Sequence, residues 1–98
     1  MELNEILKAV SEVTNVSKEE IISKIKTKDI VLARHLYCYI SVKKTNKSLK
    51  EIGEFINRNH ATVIHANNKI SYEYEYYPEI SYYVKTINSK LSKIIDGK

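Results

Sequence analysis

This chain has 98 residues, and the side chains best suited to binding a polar ligand lie between positions 58 and 69. Arg58 and Asn59 are followed by His60 and Thr62, and no acidic side chain occurs until Glu73. Amide, imidazole and hydroxyl groups at the start of a helix suit hydrogen bonds to base edges, whereas guanidinium and ammonium groups suit phosphate. The pattern therefore indicates a nucleic-acid-binding surface.

Catalytic and metal-binding patterns are absent from the sequence. The two glycines cannot build a glycine-rich phosphate loop, and no Ser, His and Asp set or convincing carboxylate pair occurs. His60 and His65 are five residues apart, so they do not share one helix face as a zinc pair would. The one cysteine, Cys38, is interpreted as a small core residue, with a nucleophile as the alternative. We therefore expect no enzymatic activity, no cofactor and no metal.

The positive charge is concentrated in the middle of the chain. Of the net charge of +4, residues 24–69 contribute ten lysines and arginines against three acids, whereas residues 1–23 have two lysines and five glutamates. A local basic field attracts phosphate and produces salt-sensitive binding to nucleic acids. The alternative is a solvated basic face with no partner.

The elements that must position these residues are predicted to be helices throughout. Capping boxes open two of them, at Ser17 with Glu20 and at Ser48 with Glu51. Asp29 is expected to cap the helix that lies between these two, after a basic loop at residues 24–28. Apolar residues recur at helical spacing, and they predict these buried faces: Leu3, Ile6, Leu7, Val10, Val13; Ile30, Ala33, Leu36, Tyr37, Ile40; Ile80, Tyr83, Val84, Ile87, Leu91, Ile94.

Residues 48–70 have the pattern of a helix-turn-helix. A helix of about two turns is expected after Ser48, followed by a tight turn at Asn57–Arg58 and a second helix capped by Asn59. Gly53 suits a position where two helices cross closely. The residues expected to face inward are Leu49, Ile52, Phe55, Ile56, Val63, Ala66 and Ile70. The alternative is an ordinary helical hairpin that reads no DNA.

Tyrosines mark the region after residue 70. Tyr72, Tyr74 and Tyr76 alternate with glutamates, which is a strand-like period, but we interpret them as the last turns of the second helix because no pairing strand is visible. Pro78 then starts a final helix to about residue 95. We expect the tyrosines to pack these two helices together, with base stacking as the alternative.

Six segments resemble one known family, the C-terminal domain (domain IV) of bacterial DnaA replication initiators. Residues 59–66, Asn-His-Ala-Thr-Val-Ile-His-Ala, resemble that family's Asp-His-x-Thr-Val-x-His-Ala. Residues 48–53 resemble Ser-Leu-x-Glu-Ile-Gly, and residues 30–35 resemble Val-x-x-Ala-Arg-Gln. Val16-Ser17 and residues 21–24 match the family's start, and Lys69-Ile70 its end. The resemblance covers roughly residues 6–70, in order, and implies an all-α, compact multi-helix domain of the Trp-repressor and DnaA type, here with an additional C-terminal helix.

The resemblance also implies how such a domain meets double-stranded DNA. The second helix of the motif enters the major groove and the basic loop, with Lys26 at the place of an Arg, enters the minor groove, while Arg34 holds phosphate. Asn59 replaces an Asp that reads a base, and Asn is able to pair with adenine in a bidentate way. Ala61 replaces a Thr and loses its hydroxyl, and the turn before Asn59 is one residue shorter than usual. The expected DNA-binding residues are Lys24, Lys26, Lys28, Arg34, Ser48, Leu49, Lys50, Arg58, Asn59, His60, Ala61, Thr62 and Lys69.

The sequence therefore predicts one domain over residues 1–98, with a helix-turn-helix at about 48–76 and an extra helix at about 78–95. The expected function is sequence-specific duplex DNA binding in replication initiation or its regulation, or in transcription regulation. The initial Met and the extra helix favour a freestanding protein over a fragment, and the expected location is the cytoplasm at the nucleoid, with no membrane or nucleotide as partner. The alternatives are a protein-interaction module that uses the acidic first helix and the tyrosine-rich end, and RNA binding through the tyrosines.

Overall fold

Six helices form an all-α domain in the computed structural model, which describes the backbone of residues 1–96 and the side chains of residues 1–93. No strand occurs within residues 1–96, and the predicted all-α class is confirmed. The helices are α1 (Leu3–Thr14), α2 (Lys18–Ile22), α3 (Lys28–Lys44), α4 (Leu49–Glu54), α5 (His60–Tyr76) and α6 (Pro78–Asp96).

Local capping signals set most of the helix boundaries. The predicted capping boxes at Ser17 and Ser48 are both present, and Asn15 ends α1 in the left-handed region with φ 62°. The prediction that Asp29 caps α3 is wrong: α3 begins at Lys28 with Thr27 at the N-cap, and Asp29 lies in the first turn. In that turn its carboxylate is next to the positive end of the helix dipole, which is the other position where Asp is favourable.

Helix α3 runs through the middle of the core and packs against α1, α4 and α5. Tyr37 on α3 is fully buried, and its hydroxyl donates to the Ile52 carbonyl oxygen at 2.9 Å, which satisfies a polar atom in an apolar region. Cys38 on α3 is fully buried, so its thiol is a core group as predicted, and this burial raises its pKa to about 12. The other predicted core residues of α3 are buried too, namely Ile30, Ala33, Leu36 and Ile40.

Two residues of the predicted inward face of α4 are at the surface instead. Ile52 and Ile56 are buried, but Leu49 is 37% exposed and Phe55 is 42% exposed. Helix α4 ends at Glu54, earlier than expected, so Phe55 already belongs to the turn and its ring stays outside, stacked 6.4 Å from the Tyr37 ring. Leu49 is the first residue of α4, where the helix has only begun to approach the core.

The tyrosine-rich segment continues α5 as a helix, as predicted, up to Tyr76. Only part of the packing predicted for the tyrosines is present. Tyr74 and Tyr83 are partly buried against the core, whereas more than half of each of four other side chains is exposed: Tyr72, Tyr76, Tyr77 and Tyr82. We call these four residues the tyrosine surface.

Helix α6 packs on α1 and α5 and, within the described residues, makes no comparable contact with α4. Its predicted residues Ile80, Val84, Ile87 and Leu91 are buried. Lys90 also forms an ion pair with Glu12 of α1 at 3.5 Å. The prediction for the Ile94 side chain lies outside the described residues. None of the described helices is long and apolar enough to cross a membrane.

Candidate nucleic-acid interface

The turn between α4 and α5 is fixed by its own backbone. Asn57 has φ 61°, its N–H donates to the Glu54 carbonyl oxygen at 3.1 Å, and the Arg58 N–H donates to the Gly53 carbonyl oxygen at 2.9 Å. This pair of bonds around a left-handed residue is a Schellman motif, which stops a helix and redirects the chain. It confirms the tight turn that was predicted at Asn57–Arg58.

Gly53 is required by the turn rather than by a helix crossing. A Cβ atom at this position would lie 2.7 Å from the Arg58 carbonyl oxygen and 2.9 Å from the Asn59 carbonyl oxygen. Both contacts are with backbone, which cannot move aside as a flexible side chain could. The missing side chain therefore allows the chain to fold back tightly onto α4 before α5 begins.

The first turn of α5 is polar, exposed and free of acids. The Asn59 side-chain oxygen accepts a hydrogen bond from the Thr62 N–H at 3.1 Å, so Asn59 is the N-cap as predicted. His60 and Ala61 are exposed, and Thr62 is half-buried. Because the N–H groups of a first helical turn attract electron-rich groups, this end of α5 suits a polyanion.

The segment between α2 and α3 is the basic loop, residues 23–27. The predicted bounds, residues 24–28, were one residue too late at each end, because α2 ends at Ile22 and Lys28 is already the first residue of α3. Lys24, Ile25 and Lys26 are exposed in it, and Lys28 is exposed at the start of α3. The Ser23 hydroxyl accepts from the Ile25 N–H at 3.2 Å and donates to the Glu20 carbonyl oxygen at 2.7 Å. The loop therefore has a defined start, while its lysine ammonium groups remain in solvent.

The Arg34 side chain of α3 binds the backbone of this loop. The side chain is only 4% exposed; its Nε donates to the Ile21 carbonyl oxygen at 2.7 Å and its Nη2 to Ser23 at 2.9 Å and Ile25 at 3.1 Å. Nη2 also lies 3.2 Å from the Glu20 carbonyl oxygen. Burial and the nearby Arg58 lower the pKa of Arg34, but an arginine keeps its charge at neutral pH. The structure thus gives Arg34 a positioning role, and of its nitrogens only Nη1 has no acceptor among the described residues.

Arg58 connects the basic loop to the helix-turn-helix. Its Nη2 donates to the Ser23 carbonyl oxygen at 2.6 Å and its Nη1 to Ile22 at 3.2 Å, across more than thirty residues of sequence. Nη1 also lies 3.2 Å from the carbonyl oxygens of Ile56 and Asn57. Ser23 therefore accepts from both arginines, and the loop is fastened directly beside the start of α5.

Three of the five predicted lysines lie around one cavity. Lys26, Lys28 and Lys69 line this space of about 580 Å³ between the loop, α3, the second half of α5 and the start of α6. Lys50 lines a separate depression with Glu54, Arg58, Asn59 and His60. Lys69 also forms an ion pair with Glu73 at 3.1 Å. Of the remaining predicted residues, Ser48 and Leu49 are exposed at the start of α4, where the Ser48 hydroxyl accepts from the Glu51 N–H at 3.0 Å.

Sequence reasoning missed His35, which lies between α3 and α5 beneath the interface. It is 9% exposed, and its ring is edge-on to that of His65 with centroids 5.7 Å apart. Burial, followed by the nearby His65, Lys69 and Arg34, lowers the pKa of His35 to about 4. The signal that could have found it is its position next to Arg34, on the face of α3 that must also pack against α5.

The comparisons with known proteins agree on one family. The family model described as the bacterial dnaA protein helix-turn-helix matches residues 3–70. The chain is also 42% identical over 88 residues to the chromosomal replication initiator protein DnaA of Thermodesulfovibrio yellowstonii. That alignment covers 89% of this chain and 20% of the relative, so the chain spans about a fifth of that protein's length. The family match ends within α5, and α6 lies beyond it.

Proposed function

The chain belongs to the bacterial DnaA helix-turn-helix family, and on this premise we propose that it binds double-stranded DNA sequence-specifically. The first turn of α5 enters the major groove, and the basic loop enters the adjacent minor groove. This binding serves replication initiation or its regulation, or the regulation of transcription. Recognition resembles that of a DnaA box, altered where Asn59 and Ala61 depart from the family.

The observation that carries the proposal is the bond between Arg58 Nη2 and the Ser23 carbonyl oxygen at 2.6 Å. It fixes the basic loop next to the residue that precedes Asn59, so two DNA-facing elements are presented together by one rigid unit. Binding then needs little rearrangement, which reduces its entropic cost.

Within this arrangement the proposed residues have separate tasks. Asn59, His60, Ala61 and Thr62 face base edges, because the N-terminal residues of a recognition helix lie deepest in the groove. Arg34 and Arg58 position the loop and reach phosphate only at the edge of the interface. The side chains proposed to bind phosphate and sugar are those of Lys24, Lys26, Lys28, Ser48, Lys50 and Lys69, and Leu49 contributes its backbone N–H at the start of α4.

The test begins with selection of bound duplexes from a random DNA library, which should return a consensus sequence. On that duplex, affinity is then measured against salt concentration for the wild type, Lys26→Gln and Lys90→Gln. Lys90 is the matched control, because it loses the same charge but pairs with Glu12 at the α1–α6 contact.

We expect Lys26→Gln to reduce the slope of log affinity against log salt by about one, and Lys90→Gln to keep the wild-type slope. Equal slopes for both variants would remove the basic loop from the interface. If no consensus is returned and binding disappears as the salt concentration rises, the chain binds only phosphate and the proposed sequence specificity is wrong.

A second function is favoured by the tyrosine surface. Tyr72 and Tyr76 are each 62% exposed and their ring centroids lie 4.8 Å apart, and large exposed aromatic side chains are enriched in protein–protein interfaces. A protein-interaction module would use this surface together with the acidic α1. It would be supported if the chain shows no salt-dependent DNA binding but forms a stable complex, seen by sedimentation, that Tyr76→Ser disrupts.

A further inference from the structure

The capping geometry of Asn59 decides which side-chain atom faces a ligand. An asparagine amide has one acceptor oxygen and one nitrogen with two N–H donors. The Thr62 N–H donates to the Asn59 side chain at 3.1 Å, and a donor requires an acceptor, so the atom turned toward α5 must be Oδ1. Nδ2 is therefore the atom turned away from the helix.

Nδ2 is available to a ligand. Asn59 is exposed, and among the described residues its Nδ2 donates to no acceptor. Asn59 lines a depression whose other lining residues are Lys50, Glu54, Asn57, Arg58 and His60. An aspartate in the same geometry would cap through one oxygen and present its second oxygen, which only accepts. Asn59 thus presents a hydrogen-bond donor at a place where an aspartate presents an acceptor.

We propose that Asn59 selects against cytosine and in favour of guanine at one position of the DNA site, because it caps α5 through Oδ1 and reads the major groove through Nδ2 alone. In the major groove, cytosine offers only an N4 donor, which repels another donor. Guanine offers two acceptors, N7 and O6, and no donor, whereas adenine and thymine each offer one acceptor, beside a donor or a methyl group. This inference rests on the proposed duplex binding and names the specificity of that same site.

The same geometry argues against the bidentate pairing with adenine that the residue type alone suggests. That pairing uses the amide oxygen to accept from adenine N6 while the nitrogen donates to N7. In the structure the oxygen is turned toward the Thr62 N–H. Rotating it toward a base would leave that N–H of the first helical turn without its partner. If Asn59 contacts the base through Nδ2 alone, guanine should bind at least as well as adenine. If Asn59 uses both Oδ1 and Nδ2, adenine should be preferred.

The experiment selects duplexes from a random library with the wild type, Asn59→Asp and Asn59→Ser. Asp and Ser are both good N-caps, so both variants are expected to fold, and thermal unfolding by circular dichroism checks this. Asp keeps the length of the side chain but turns the donor into an acceptor. Ser keeps the cap but is too short to reach a base edge.

The wild type should prefer guanine over cytosine at one position by about tenfold. Asn59→Asp should reverse this preference at that position alone, and Asn59→Ser should remove it while the other positions keep their consensus. Identical consensus sequences for all three proteins would overturn the role of Asn59 but leave duplex binding intact. A wild-type preference for adenine over guanine by about tenfold would overturn the donor-only geometry. Failure of every protein to return a consensus would overturn the proposed function itself, and this inference with it.

Discussion

The basic loop and the α4–α5 turn lie side by side, but they are held in shape by different means. The turn is fixed by backbone bonds between residues that are three to five apart, around Asn57 in the left-handed region. The loop is fixed by the side chains of Arg34 and Arg58, which reach its carbonyl oxygens from other helices. Local bonds make the turn resistant to changes elsewhere, whereas the shape of the loop depends on two distant side chains.

Removal of the Arg34 guanidinium should have the largest effect. Arg34→Met removes all four hydrogen bonds of a buried guanidinium and leaves the Ile21 carbonyl oxygen without that donor, whereas Ser23 keeps Arg58 and Glu20 keeps Ser23, so we expect the free energy of unfolding to fall by about 4 kcal/mol. Arg34→Lys keeps the charge but not the fork of donors, and should still lose about 2 kcal/mol. Urea unfolding measures both effects.

The control for Arg34 is Lys85→Met on the exposed surface of α6, which should change stability by less than about 0.5 kcal/mol. If Arg34→Met were as stable as this control, the loop would be held by something other than the guanidinium.

Acidification should weaken the contact between α3 and α5 next. The folded pKa of His35, about 4, lies below its usual value of 6.5, so the unfolded chain takes up the proton first as the pH falls. The contribution of His35 to stability is therefore complete above about pH 6.5, decreases between pH 6.5 and 4 by at most about 3 kcal/mol, and levels off below pH 4. Unfolding measured across this window for the wild type and His35→Gln checks the prediction. The same slope in both proteins would assign the pH dependence to other groups.

Substitution of Gly53 tests the turn itself. Alanine normally stabilises a helical position by up to about 1 kcal/mol relative to glycine. Here the added Cβ would meet two backbone oxygens at 2.7 and 2.9 Å, so we expect Gly53→Ala to destabilise the protein by about 2 kcal/mol instead. The sign of the change in thermal unfolding decides the point. Glu54→Ala, at the exposed neighbouring position, is the control and should be nearly neutral.

The smallest effect is expected for Arg58. Its side chain is only half-buried, and Arg34 still serves the Ser23 carbonyl oxygen after Arg58 is removed, so Arg58→Met should cost about 1 kcal/mol in urea unfolding. A loss as large as that of Arg34→Met would show that the two arginines hold the loop equally, and the asymmetry proposed between them would be wrong.

The turn was predictable from the sequence, because neighbouring residues fix it. The shape of the loop was not predictable, because residues distant in sequence fix it. Ser48 with Glu51, Asn57 and Asn59 act within a few residues of themselves, and each takes the predicted position. The bonds that Arg34 and Arg58 make to Ser23 span eleven and thirty-five residues, so no local pattern reveals them.

The errors of prediction are errors of helix boundaries. Helix α3 begins at Lys28, so Asp29 lies in its first turn, and α4 ends at Glu54, so Phe55 already belongs to the turn. The residues of the interface remain a prediction from the family resemblance, and that resemblance could not show which atom of Asn59 the cap leaves outward.

The Ser23 carbonyl oxygen that both arginines share has a consequence for the order of folding. Its bond to Arg58 closes a loop of thirty-five residues, and such a contact forms only after the intervening chain has lost much of its entropy. The basic loop should therefore reach its final shape late, after α3, α4 and the turn have assembled. An intermediate before that step would contain a complete α5 beside a loop that has not reached its final shape. We therefore expect Arg58→Met to accelerate unfolding with little effect on the rate of folding.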